Sequence, residues 1–252
     1  MTELNEIVNF LDKYLQIGEY KDASYNGLQF EGNNNVKKII FAVDSGIDAF
    51  EKAAEENADM IVVHHGLFWQ GNNPSIKGVM KKRLQILFEN NISLYAAHLP
   101  LDKHRESGNN AKLMEIVGAD ITGEFVEFEG AKIGYVGKFK NEVTLQDVGD
   151  ALEKELNTKC RTFELGKEKL KTVGICSGGG GIKAFKDAIE HNVDLYITGE
   201  ESDFYNDAKD ARINVIFAGH HATEIVGVRA LSRIISDQFT VETRFIDIPT
   251  GL

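Results

Sequence analysis

Two stretches of this chain repeat one another, and the repeat limits the fold more tightly than any other feature. IDAFEKAAEENADMIVVHHG (47–66) lies over IKAFKDAIEHNVDLYITGEE (182–201) without a gap, with Ile, Ala, Phe, Ala, Glu, Asn and Asp recurring in register. In each copy apolar residues first fall at helical spacing and then form a short β-branched run, so each reads as a helix leading into a buried strand. The match continues downstream, where SLYAAHLPLD (93–102) lies over VIFAGHHATE (215–224). The first ends His-x-x-x-Asp and the second His-x-x-x-Glu. One helix–strand unit resembling another is commonplace, because all such units share a pattern. Two successive units in register, with a histidine and a carboxylate at equivalent places, point to a duplication. The expected fold is α/β: two similar α/β lobes from an internal duplication, mixed sheets flanked by helices, with ligand-bearing strand ends facing each other across a cleft.

The rest of the chain fills in this plan. Helices are expected at 3–17, 47–57, 79–90, 109–117, 143–157, 182–192 and 222–239. Strands are expected at 37–43, 58–64, 92–98, 171–178, 194–200, 213–219 and 241–249, with a hairpin over 124–139. The change from α/β alternation to a hairpin places a boundary near 122. One lobe would comprise 1–122 with 218–252 and carry most of the metal ligands described below; the other would comprise 123–217.

Composition narrows the function classes. The net charge of −11 opposes non-specific attraction to nucleic acid or to anionic membrane, both polyanions. The N-terminus, MTELNEIVNFLDKYLQ, carries acids where a secretion signal needs a basic segment. No run approaches the roughly 18 uninterrupted apolar residues of a membrane span. Cys160 and Cys176 show no disulfide-framework spacing and read as reduced thiols. The expected setting is the cytoplasm.

Four of the 7 histidines form two adjacent pairs, His64–His65 and His220–His221, each where an apolar strand runs out. Carboxyl ends of parallel strands are where α/β proteins bind ligands. Neighbours on a regular strand point to opposite faces, so His64 and His65 could share a site only if the strand has ended, a departure that Gly66 eases. Otherwise one is a core residue and the other solvated. His220 and Glu224 are one helical turn apart and would converge on one point. His98 and Asp102 share that spacing, but Pro100 argues for a loop there. Taken singly, Glu224 could be a first-turn carboxylate and Asp102 a turn residue. Together they supply imidazoles and carboxylates without a thiolate, a set suited to Zn, Fe, Mn, Co or Ni, and typical of paired ions that activate water.

NGLQFEG (26–32), VVHHGLFW (62–69), LYAAHLPLD (94–102), CSGGGG (176–181), YITGE (196–200) and AGHHATEIVGVRAL (218–231) together resemble the GTP cyclohydrolase I type 2-like, or Nif-three-like, family of di-metal proteins, in its short form without the inserted domain. The resemblance spans essentially the whole chain. It implies one metal on His64 and Asp102, a second on His65 and His220, and Glu224 bridging both. It places His98 and Glu200 beside the site, orienting a ligand or moving protons. It also implies a homohexameric ring. CSGGGG could bind phosphate through backbone N–H groups or simply pack a strand–helix crossover, and Tyr25, Phe68, Trp69 and Phe204 could stack on a base or be core. Lys103, His104 and Arg105 are the nearest cations in sequence for an anionic substrate.

Two functions follow. The first is a di-metal hydrolase acting on a nucleotide, either opening the guanine ring of GTP with loss of formate or cleaving a phosphoester. The alternative is a non-catalytic metal-handling or regulatory scaffold. A third possibility is that the ions merely brace the fold.

Overall fold

The computed structural model describes residues 2–252, which divide into two compact units. The first comprises the chain up to Leu101 together with Val228–Ile248, and the second Asp102–Gly227 with Pro249–Leu252.

In the first unit a five-stranded sheet runs in the order Glu242–Phe245, Lys38–Asp44, Met60–His65, Ser93–Ala96, Gly27–Phe30. The first four strands are parallel and Gly27–Phe30 is antiparallel to its neighbour. Lys38–Asp44 and Met60–His65 are apolar almost throughout, because helices cover the sheet and leave little need for polar alternation. The helix Ile47–Glu55 buries Ala49, Phe50 and Ala53 against Ile40, Ile61, Val63 and Leu94 of the sheet. The helix Leu4–Tyr14 buries Leu4, Ile7, Val8 and Leu11, and a reciprocal cap between Glu3 and Glu6 closes its first turn.

The second unit holds a six-stranded sheet in the order Ala119–Phe128, Ala131–Val143, Leu170–Cys176, Leu195–Thr198, Asn214–Phe217, Arg161–Phe163. Its central strands Leu170–Cys176, Leu195–Thr198 and Asn214–Phe217 are parallel, and the strands on either side of these three are antiparallel to them. The first two strands form a hairpin whose Glu129–Gly130 turn has both residues at positive φ, the twist a two-residue hairpin demands. Thr144 caps the helix Leu145–Leu156, its Oγ1 accepting from Asp147 N while the Asp147 carboxylate accepts from Thr144 N. The core packs Phe185 from the helix Gly181–Glu190 against Tyr196, Phe204 and Val215.

The two repeated segments fold alike. Each gives a helix, Ile47–Glu55 or Gly181–Glu190, and then a strand, Met60–His65 or Leu195–Thr198, that is paired in parallel on both sides. The units have different limits from the lobes expected from sequence, because the helix Asn109–Ile116 packs on the hairpin that follows it and so belongs with the second unit. The loop expected at Pro100 is instead a short helix, Leu99–Lys103. Proline is tolerated there because a first-turn N–H has no intrahelical partner to lose. The helix Tyr205–Ala211 was not expected: at seven residues it is too short to show a periodic stripe. Among the described residues no helix is long and apolar enough to cross a membrane.

Candidate functional site

The first unit gathers three of the sequence-selected histidines. His64 and His65 close the strand Met60–His65, and His98 follows the adjacent strand Ser93–Ala96. Their rings lie 4.6 Å (His64–His65), 5.2 Å (His64–His98) and 5.7 Å (His65–His98) apart between centroids. Each offers a ring nitrogen, and the three nitrogens fall within 4.8 Å of one another. The strand does not end before His64, as the alternation argument required. His65 still pairs in register with Asp44, whereas pairing with the other neighbour ends at Val63 opposite Ala96.

Each of these histidines is held at Nδ1 by an oxygen that can only accept. His64 Nδ1 donates to the Ala97 carbonyl at 2.8 Å, His65 Nδ1 to Asp44 Oδ1 at 2.8 Å, and His98 Nδ1 to Asp22 Oδ1 at 2.8 Å. A carbonyl or carboxylate acceptor puts the proton on Nδ1 and leaves the lone pair on Nε2. Asp22 is buried and also accepts from Ser24 N, Asn26 Nδ2 and Leu99 N. Burial alone would raise its pKa, but the hydrogen bond and charge of His98, with the Asn26 and Ser24 donors, outweigh that and hold the carboxyl below its ordinary range. Trp69 packs edge-on to His98 at 4.9 Å and donates its indole N–H to Gly66 O.

The NGLQFEG segment serves this cluster through its amides. Asn26 Oδ1 accepts from His98 N at 2.7 Å, and Gln29 Oε1 accepts from Leu67 N at 2.7 Å.

The second unit repeats the pattern at the start of the helix His220–Gln238. His220 Nδ1 donates to Glu200 Oε1 at 2.6 Å, and its Nε2 lies 3.2 Å from Glu224 Oε1 one turn along the helix. Burial disfavours a charged imidazole here. The carboxylates of Glu224 and Glu200 on either side prevail and push the pKa of His220 up to about 9. Glu224 is buried at 3 % exposure and Asp102 at 5 %. Asp102 Oδ1 accepts from Asn109 Nδ2 at 2.8 Å and from Ser177 Oγ at 3.1 Å.

The CSGGGG turn belongs to this cluster. Ser177 reaches Asp102, while Gly178 N donates to Thr223 Oγ1 at 2.9 Å. Gly178 has φ +59, and a Cβ there would stand 3.1 Å from His220 Nε2 and in collision with Glu224 Oε1. A Cβ on Gly179 would stand 3.0 Å from Glu200 Oε2. These glycines make room for carboxylates, so the turn opens on negative charge and is a poor cradle for phosphate.

Other candidates sit apart from these chemistries. Phe204 is core, stacked on Phe185 at 4.2 Å and 2 % exposed. Phe68 packs against the core of the first unit, and Tyr25 is exposed. Lys103 pairs with Glu124 at 3.6 Å, and Arg105 lies over the Tyr135 ring. His104 Nδ1 accepts from Ser107 N at 3.2 Å. Both cysteines are unbridged, and burial pushes the Cys160 thiol up to about 12, far from a reactive thiolate.

With this geometry established, the comparisons with known proteins bear on it. The model of the Duf34/NIF3 family (NGG1p interacting factor 3) matches residues 2–251. The chain belongs to the Duf34/NIF3 family. It is 45% identical over 252 residues to a protein of Pyrococcus abyssi named GTP cyclohydrolase 1 type 2 homolog, covering 99% of this chain and 100% of that one. A protein of the same name from Archaeoglobus fulgidus is 43% identical over 250 residues, covering 99% of each. Among solved structures, TTHA1606 from Thermus thermophilus superposes with a TM-score of 0.88 at 38% identity, covering all of both chains.

Asp22, Asp44 and the Ala97 carbonyl were not singled out from sequence. The only trace they leave is position: Asp44 ends a strand whose neighbour ends in His65, and Asp22 precedes the Asn-Gly of NGLQFEG.

Proposed function

We propose that this protein is a di-metal hydrolase acting on a nucleotide, with His64, His65, Asp102, His220 and Glu224 as the ligands of two divalent ions. The supporting observation is the state of the histidines. His64, His65 and His220 each spend Nδ1 on an oxygen acceptor, which leaves Nε2 as the donor for a metal. With two buried carboxylates and no thiolate, the set fits Zn, Fe, Mn, Co or Ni.

Bound there, a pair of ions would supply Lewis acidity and activate water near neutral pH. The protein residues have distinct duties. Asp44, Glu200 and the Ala97 carbonyl fix ring orientation and tautomer. Glu200 is therefore a positioning residue through its bond to His220. His98, held at Nδ1 by Asp22, presents the lone pair of Nε2 and would take up a proton there during turnover. Displacing the proton that His220 holds would accompany metal loading.

A nucleotide substrate is favoured by the names of the Pyrococcus and Archaeoglobus relatives, which point to attack on the guanine ring of GTP with loss of formate. Phosphoester cleavage is the variant the same ions would support. The test is formate and phosphate release from GTP by protein reconstituted separately with Zn, Mn, Fe, Co and Ni, with folded Glu224→Ala as control. Metal-dependent formate release that the control lacks establishes ring opening, and phosphate release in its place establishes a phosphoesterase. Neither product, from protein that elemental analysis shows to be loaded, refutes the hydrolase and leaves metal handling as the function.

A further inference from the structure

We infer that a cavity in the second unit, walled by Lys159, Arg161, Glu200 and Glu201, binds the phosphate chain of the substrate, and that Glu201 holds Arg161 in reserve for it. This rests on the nucleotide reading above and assigns the part of the nucleotide that is recognised away from the reacting atoms. The cavity has a volume of about 420 Å³, enough for a chain of phosphates and their water. It is also lined by Gly199, Phe217, Gly219, Gly251 and Leu252, and lies at the carboxyl ends of the parallel strands Leu195–Thr198 and Asn214–Phe217. Open α/β sheets bind ligands at that end. Gly199 must lack a side chain, since a Cβ would fall 2.7 Å from His220 Cα and 2.9 Å from Gly219 O.

The position ties the cavity to the chemistry. Glu200 lines it and accepts from His220 Nδ1 at 2.6 Å, so an occupant would lie one side chain from a proposed metal ligand. An overall charge of −11 repels an anionic substrate, so its capture requires local cations. The cavity has two. Arg161 lies over the Phe163 ring at 5.5 Å, which limits the freedom of its long side chain, and its guanidinium is hydrogen-bonded to Glu201. A guanidinium fork matches phosphate oxygens as well as it matches a carboxylate, so an arriving phosphate would take Glu201's place. Lys159 pairs with Glu153 at 2.6 Å yet is 90% exposed, and can turn to the same anion at little cost.

Titration calorimetry of full-length protein, freed of metal by chelation, with tripolyphosphate, GTP and guanosine as probes separates this inference from the hydrolase reading. Tripolyphosphate and GTP should bind and guanosine should bind much more weakly. Arg161→Ala should weaken both phosphates at least tenfold, and Arg161→Lys should restore only part of the loss. Glu201→Gln, which removes the competing carboxylate, should tighten both. Unchanged phosphate binding in Arg161→Ala, or no gain in Glu201→Gln, overturns the assignment. Both residues are substantially exposed, so folding of the variants is not at issue. If Arg161-dependent binding appears in protein that releases neither formate nor phosphate, the cavity stands and the hydrolase reading fails. If loaded Arg161→Ala turns GTP over with an unchanged KM, the hydrolase stands and the cavity assignment fails.

Discussion

Replacing Gly178 with alanine tests whether the glycine turn exists to make room for the proposed metal ligands His220 and Glu224. Two costs arise at this position, and a neighbour separates them. Gly178 has φ +59 and Gly181 has φ +62, so alanine at either incurs the same left-handed strain, about 1–2 kcal/mol. For a chain of this size that strain lowers Tm by about 2–4 °C per kcal/mol. Beyond strain the two differ completely. A Cβ on Gly181 meets nothing within 4 Å, whereas a Cβ on Gly178 would lie 3.2 Å from Glu224 Cδ and 3.1 Å from His220 Nε2, and collide with Glu224 Oε1. The Glu224 carboxylate must move by about an ångström, and displacement on that scale ruins a preorganised site. Gly181→Ala should therefore lose some stability and keep its metal. Gly178→Ala should lose at least as much stability and bind metal at least 100-fold more weakly. Thermal unfolding of both metal-free variants, followed by competition with a chromophoric chelator for Zn or Co, reads both quantities. Equal loss of metal affinity in the two variants, or full retention in Gly178→Ala, would refute the cradle argument.

Two further outcomes follow from the same geometry. Asp44→Ala should lower metal affinity about 10- to 100-fold with little change in fold, because it releases His65 Nδ1; unchanged affinity by the same chelator assay would count against an orienting role. Asp194 accepts from Lys167 Nζ at 2.6 Å and from the N–H groups of Lys171 and Thr172. Burial works to raise its pKa, but these donors prevail and hold it low. A depressed folded pKa adds stability above the unfolded value of about 3.9, and that stability is lost as pH falls through the lower folded value. Asp194→Asn should be less stable than the parent at pH 7, and the gap should close in denaturant unfolding as pH drops below about 4; a gap independent of pH would contradict this.

Much of the architecture is legible in the residues themselves. Periodicity marks the helix Ile47–Glu55 and the strand Met60–His65, and the repeat carries the same reading to Gly181–Glu190 and Leu195–Thr198. It fails where local pattern is short or ambiguous. Pro100 reads as a loop and is in fact first-turn helix, and Tyr205–Ala211 is too brief to show a stripe. Phe204 looks like a stacking platform until Phe185 is seen lying flat against it.

By itself the sequence determined which side chains are the metal-donor candidates, because two His-His pairs, each where an apolar run ends, and carboxylates one helical turn from histidines are local patterns. Tertiary structure alone decided what each donor is held by. His98 meets Asp22 across 76 positions, His64 meets the Ala97 carbonyl across 33, His65 meets Asp44 across 21 and His220 meets Glu200 across 20. Nothing in local periodicity encodes those distances. They are set by which strands pair in which register, and it is that register which brings an oxygen acceptor to Nδ1 of each ring.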